Sequence, residues 1–194
     1  MFGSKSNQME VKLVILQPFF ENPHELFHIR EVAKLTKINH TTVRKYLQEF
    51  VKERILVLKK EKLYDSYAAN VISDQYLFLK LYFNLEKIRI SGLLEKISLY
   101  YAKPTVVLFG DYAKAADNKE SIVGICVVNN TLDKNVKELQ MQNFFKILQR
   151  EIRLCVYPQK EFLQLRRVNP ALFNQICNGI VLRGNITVVE SGEK

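Results

Sequence analysis

Between Ile29 and Phe50 the apolar residues mark two successive helical faces separated by a short polar break, which leaves little freedom in how this segment folds. Ile29, Val32, Ala33 and Leu35 repeat at helical spacing and predict a helix over residues 29–36. Lys37 and Ile38 interrupt it, and Asn39 is a residue type that caps helix N-termini by accepting a backbone N–H. The helix that follows has Val43, Leu47 and Phe50 at i, i+4 and i+7, flanked by Tyr46 and Val51. Thr41, Arg44, Lys45 and Gln48 are thereby placed on its opposite face. Leu56–Leu58, the charged tip Lys59-Lys60-Glu61-Lys62 and Leu63–Tyr67 then read as a β-hairpin. Upstream, Met9, Val11, Leu13, Val14, Leu16, Phe19 and Phe20 mark a further helix over 9–22, stopped near Asn22-Pro23.

Helix, helix, turn, helix and hairpin is the layout of a winged helix-turn-helix. The stretch REVAKLTKINHTTVRKYLQEFVKERILV resembles archaeal winged-helix regulators, over roughly residues 10–70. The resemblance implies DNA binding with the third helix in the major groove, where Arg and Gln can make paired hydrogen bonds to base edges. The candidate contacts are Arg30, His40, Thr41, Arg44, Lys45 and Gln48, with Lys59, Lys60 and Lys62 at the wing tip reaching backbone or minor groove. The same side chains would also suit a solvated helix face and an ordinary hairpin turn. Charge favours a polyanion: the chain carries a net +9, and ten basic residues against four acidic ones lie between Arg30 and Lys62. Lys and Arg density reports phosphate in RNA as well as in DNA, so a structured-RNA- or ribosome-binding factor stands as the alternative.

A second pattern lies at Val106–Val128, VVLFGDYAKAADNKESIVGICVV. An apolar strand, a Leu-Phe-Gly turn, a polar connection and a second apolar strand resemble the active-site outline of the DNA polymerase β superfamily, above all its minimal archaeal nucleotidyltransferases. That outline reads LFGSYARG, a spacer, then SDIDLLV. Leu108, Phe109, Gly110, Tyr112, Ala113 and Ser121 match it, and the ending NGIVLRG (178–184) is similar to the way those proteins close. The two metal-binding aspartates are replaced by Ile122 and Gly124, and the Ser after the glycine by Asp111. The third carboxylate would fall on Ile152–Tyr157, which has none; Glu151 precedes it. Without carboxylates such a site lacks the hard oxygen ligands that hold Mg²⁺ and offset phosphoryl charge, and Asp111 would repel phosphate. The resemblance therefore implies the fold without the activity. A relocated metal site, using acids such as Asp117 and Glu120, is the rival reading.

Together these patterns predict an α+β protein: a winged helix-turn-helix domain (1–70), a helical connector (71–103) broken near Ser91-Gly92, and a nucleotidyltransferase-like mixed-sheet domain (104–194). Strands are expected at 106–109, 122–128 and 152–157, and helices near 136–149 and 170–177. The 194 residues, 47% hydrophobic and 25% charged, suffice for such a core. Cys126, Cys155 and Cys177 are widely spaced without a CxxC, so buried thiols are expected in preference to a zinc site. No apolar run approaches the roughly 20 residues that cross a bilayer, and the polar start predicts no signal peptide. The expectation is a cytoplasmic DNA-binding regulator, homodimeric, with no cofactor, no metal and no enzymatic activity.

Overall fold

The computed structural model describes residues 3–60, 64–129 and 148–186. The chain is of mixed α+β class and divides into two compact units, Met1–Phe83 with Asp117–Lys119, and Asn84–Ala116 with Glu120–Lys194.

The first unit contains α1 (Gly3–Glu21), β1 (Leu26–His28), α2 (Ile29–Thr36), α3 (His40–Lys52), β2 (Leu56–Lys59) and β3 (Ser66–Ala69). β3 is the central strand of an antiparallel sheet, with β1 on one side and β2 on the other. The helical period placed α2 and α3, and Asn39 caps as expected: its side chain accepts the Thr41 N–H at 2.8 Å. Lys37 closes α2 with a left-handed φ of 59°. Val43, Leu47 and Phe50 are fully buried against Phe19, Phe27, Val32 and Tyr67. Lys12 ties α1 to α3, lying 3.1 Å from Glu49 and 3.7 Å from Glu53. β1 was not anticipated, because three residues cannot display a period of two. Asn39→Ala should lower stability by about 1 kcal/mol by exposing an unsatisfied helix N–H, read as a shift in the urea midpoint with unchanged slope.

α4 (Asp74–Ser91) supplies the first unit with Tyr76, whose hydroxyl donates to the Phe19 carbonyl at 2.9 Å, and with Lys80. The Lys80 side chain is 1% exposed; its ammonium donates to the main-chain carbonyl of Asp117 and lies 3.6 Å from the carboxylate of that residue, whose side chain is 2% exposed. The Lys119 N–H donates to the Glu21 carbonyl at 2.7 Å. These bonds explain why Asp117–Lys119 belongs to the first unit.

The second unit takes up the rest of α4, then α5 (Leu93–Tyr100), β4 (Thr105–Phe109), β5 (Val123–Val128), β6 (Ile152–Tyr157), α6 (Gln159–Val168), α7 (Pro170–Cys177) and β7 (Ile180–Arg183). Gly92, at φ 72°, separates α4 from α5. The sheet order is β6-β5-β4-β7, with β5 and β6 parallel and β4 antiparallel to both its neighbours. Every residue of β5 is buried, because both faces are covered. Val106, Leu108, Val123 and Ile125 pack with Ile88, Leu93 and Ile97 on one side. Val107, Phe109, Cys126 and Val128 pack with Phe162, Phe173 and Ile176 on the other. α6 was not anticipated, since only Phe162 in it is fully buried and its apolar period is sparse. The helix expected at 136–149 lies outside the described residues except for its last two.

The boundary between units falls inside the stretch read as a connector. Leu77, Leu79 and Phe83 pack into the first core, whereas Leu85 and Ile88 join the second.

Candidate nucleic-acid interface

Because Val43, Leu47 and Phe50 face the core, α3 turns His40, Thr41, Arg44, Lys45 and Gln48 into solvent. Arg30 is exposed on the first turn of α2, and Lys59 and Lys60 are exposed at the end of β2. Lys62 lies outside the described residues. Among the described residues, Arg30, Arg44 and Lys45 enter no ion pair. Arg44 is near the buried Tyr67: burial and the Asp65 carboxylate push that phenol up, and the Arg44 charge opposes them in part.

A concavity of about 1030 Å³ joins part of this set, bringing Arg30 of α2 and His40 and Arg44 of α3 together with Tyr64 and Asp65, which lead into β3. Ile29 and Ala33 supply apolar lining, and His28 and Glu31 complete it. Thr41, Lys45, Gln48, Lys59 and Lys60 are not among its lining residues. His28 organises one side: its Nδ1–H donates to the Asp65 carbonyl at 3.1 Å, and its ring meets the Tyr64 ring edge-on at 6.3 Å. The Glu31 carboxylate accepts the His28 main-chain N–H at 3.4 Å. Sequence reasoning missed His28, Glu31, Tyr64 and Asp65 as lining residues. The spacing of His28 and Glu31 is a helix-start signal that could have pointed to the first two; Tyr64 and Asp65 arrive only through strand pairing.

In the second unit, Gly110 follows β4 at φ 82° and ψ −159°, a backbone region open essentially to glycine alone. Asp111 opens a 3₁₀ turn, Asp111–Lys114, and is exposed, while Tyr112 is buried with its carbonyl accepting from Asn84 Nδ2 at 3.0 Å. Ser121 and Ile122 are half-buried just ahead of β5. Gly124 stands opposite Phe109 in the β4–β5 ladder. A Cβ there would come within 2.8 Å of the Phe109 carbonyl oxygen and 2.9 Å of its ring. Glu120 and Glu151 are exposed, and Asp117 is held by Lys80 in the first unit. Among the described residues no three His, Cys, Asp or Glu side chains converge into a set able to hold a metal ion.

The three cysteines share one packed layer, which their spacing concealed. Cys126 and Cys155 are register partners on β5 and β6, and Cys177 of α7 packs into the same layer. Burial pushes all three thiols up, that of Cys126 to about 12. Cys126 should therefore stay protonated and resist Ellman's reagent at pH 8 in the native protein, while all three cysteines react in guanidinium. Rapid native labelling of Cys126 would contradict its placement.

No helix among the described residues is long and apolar enough to cross a membrane. No family model matches the chain, and no curated protein matches it. Among solved structures the chain is similar to TrmBL2, described as an archaeal chromatin protein with a novel mode of DNA binding, at 13% identity over 84% of this chain and 76% of that one, with a TM-score of 0.24.

Proposed function

We propose that the first unit is a winged helix-turn-helix module that binds duplex DNA through α3, and that the protein acts as a homodimeric transcription regulator. The observation that carries this reading is the exposed face of α3. Arg44 and Lys45 stand there with Thr41 and Gln48, backed by a fully buried Val43-Leu47-Phe50 stripe, and neither cation is engaged by a carboxylate among the described residues. A rigid helix with unengaged cations suits phosphate contacts and base-edge hydrogen bonds. The second unit is proposed to be a nucleotidyltransferase-like domain that transfers no nucleotide and serves dimerisation, sensing or docking. Three features support its inactivity: Gly124 is packed under Phe109, Ile122 is apolar, and β6 carries no carboxylate.

Fluorescence anisotropy with a labelled duplex tests the reading. The logarithm of the binding constant should fall linearly with the logarithm of salt concentration, as released counterions require. Arg44→Ala with Lys45→Ala should weaken binding at least about tenfold at moderate salt. Parent-like binding by the double variant across the salt series would exclude α3 as the contact. Preference for an RNA hairpin over the duplex would replace DNA with structured RNA.

A further inference from the structure

We propose that the concavity between α2, α3 and the segment entering β3 takes a single unpaired nucleotide, with its phosphate on Arg30 and Arg44 and its base against Tyr64. This rests on the reading of the first unit as a DNA-binding module, and it adds a ligand that flat groove contacts do not need. The volume, about 1030 Å³, is at the upper end of small-molecule sites and far exceeds what one phosphate group occupies. Arg30 and Arg44 both line it, and neither guanidinium is paired with a carboxylate among the described residues. Guanidinium forks are the side chains best matched to phosphate oxygens.

The remaining lining decides between a bare phosphate and a nucleotide. Tyr64 is 68% exposed, an unusual placement for a large aromatic ring, and the His28 ring meets it edge-on at 6.3 Å. A base has a π face for that ring, whereas a phosphate has nothing to offer it. Asp65 also lines the cavity, with its main-chain carbonyl occupied by His28 Nδ1–H. Its carboxylate would repel an isolated phosphate, yet it is an acceptor for the amino group of adenine or cytosine. Glu31, the other acid, is engaged with the His28 N–H at 3.4 Å. Mixed charge with an aromatic wall therefore favours a nucleotide over an inorganic anion. That nucleotide can come from nucleic acid, as an unpaired residue in a duplex, or from the free pool.

Binding of full-length protein to a duplex carrying one unpaired adenine, to the same duplex fully paired, and to free deoxyadenosine monophosphate separates these sources. The bulged duplex should bind at least about fivefold more tightly than the paired one, the lower end of what one base–aromatic stack contributes. Tyr64→Ala should remove that ratio and Tyr64→Phe should keep it; because the ring is exposed, neither change threatens the core. Equal affinity for the two duplexes, with Tyr64-dependent binding of the free nucleotide, would retain the ligand class and assign it to the free pool. Equal affinity without nucleotide binding would overturn the inference while leaving paired-duplex binding intact. Nucleotide binding by a protein that binds no duplex would overturn the DNA-binding reading and leave the cavity's ligand standing.

Discussion

Gly124→Asp will cost the second unit on the order of 4–5 kcal/mol or more, enough to unfold it under conditions where the parent is native. Two effects add. The new Cβ would lie 2.8 Å from the Phe109 carbonyl oxygen, a backbone atom in the central β4–β5 ladder that cannot withdraw as a flexible side chain would. The carboxylate would also enter a strand buried along its whole length, where an unpaired charge is heavily penalised. Gly124→Ala, carrying the steric part alone, should lose less, and the difference between the variants measures the cost of burying the charge. Urea denaturation followed through hydrogen exchange of β4 and β5 reads both. Parent-like protection in Gly124→Asp would mean that the register opposite Phe109 is wrong. Introducing two carboxylates by Ile122→Asp with Gly124→Asp is accordingly expected to yield no nucleotide transfer.

The second large effect lies in the first unit. Lys80→Ala should destabilise it by about 3–5 kcal/mol, the range for removing one member of a buried ion pair. Lys80 and Asp117 are 1% and 2% exposed, so the Asp117 carboxylate, deprived of the ammonium, has little access to water that could replace it. The main-chain carbonyl of Asp117 would lose its Lys80 donor in the same step. Replacing both partners by apolar residues, Lys80→Met with Asp117→Leu, should cost less than Lys80→Ala alone, because no buried charge is left behind. Chemical denaturation of the two variants checks the ordering. A double variant less stable than Lys80→Ala would show that the buried, unpaired Asp117 charge is not what Lys80→Ala costs.

Local patterns were legible where apolar period and backbone chemistry act within one element. The α2–α3 pair, the Asn39 cap, the Gly92 break and the strands β4, β5 and β6 each follow from residues close in sequence. What escaped depends on distant partners. β1 is too short to carry a period, and α6 buries too little. Asp117, read as an acid near the nucleotidyltransferase-like motif, is bound to a lysine 37 residues away. The cysteine layer exists only once β5 and β6 align in parallel. At the candidate interface, helix geometry placed the α3 face, whereas the cavity required strand pairing to bring Tyr64 and Asp65 beside α2.

Amide chemical shifts recorded while the full-length protein is titrated with duplex DNA test the central claim most directly. The perturbations should concentrate on α3, at Thr41, Arg44, Lys45 and Gln48, and on Arg30 of α2, and they should fade as salt is raised. Shifts confined to the second unit, with the α3 face unmoved, would contradict it.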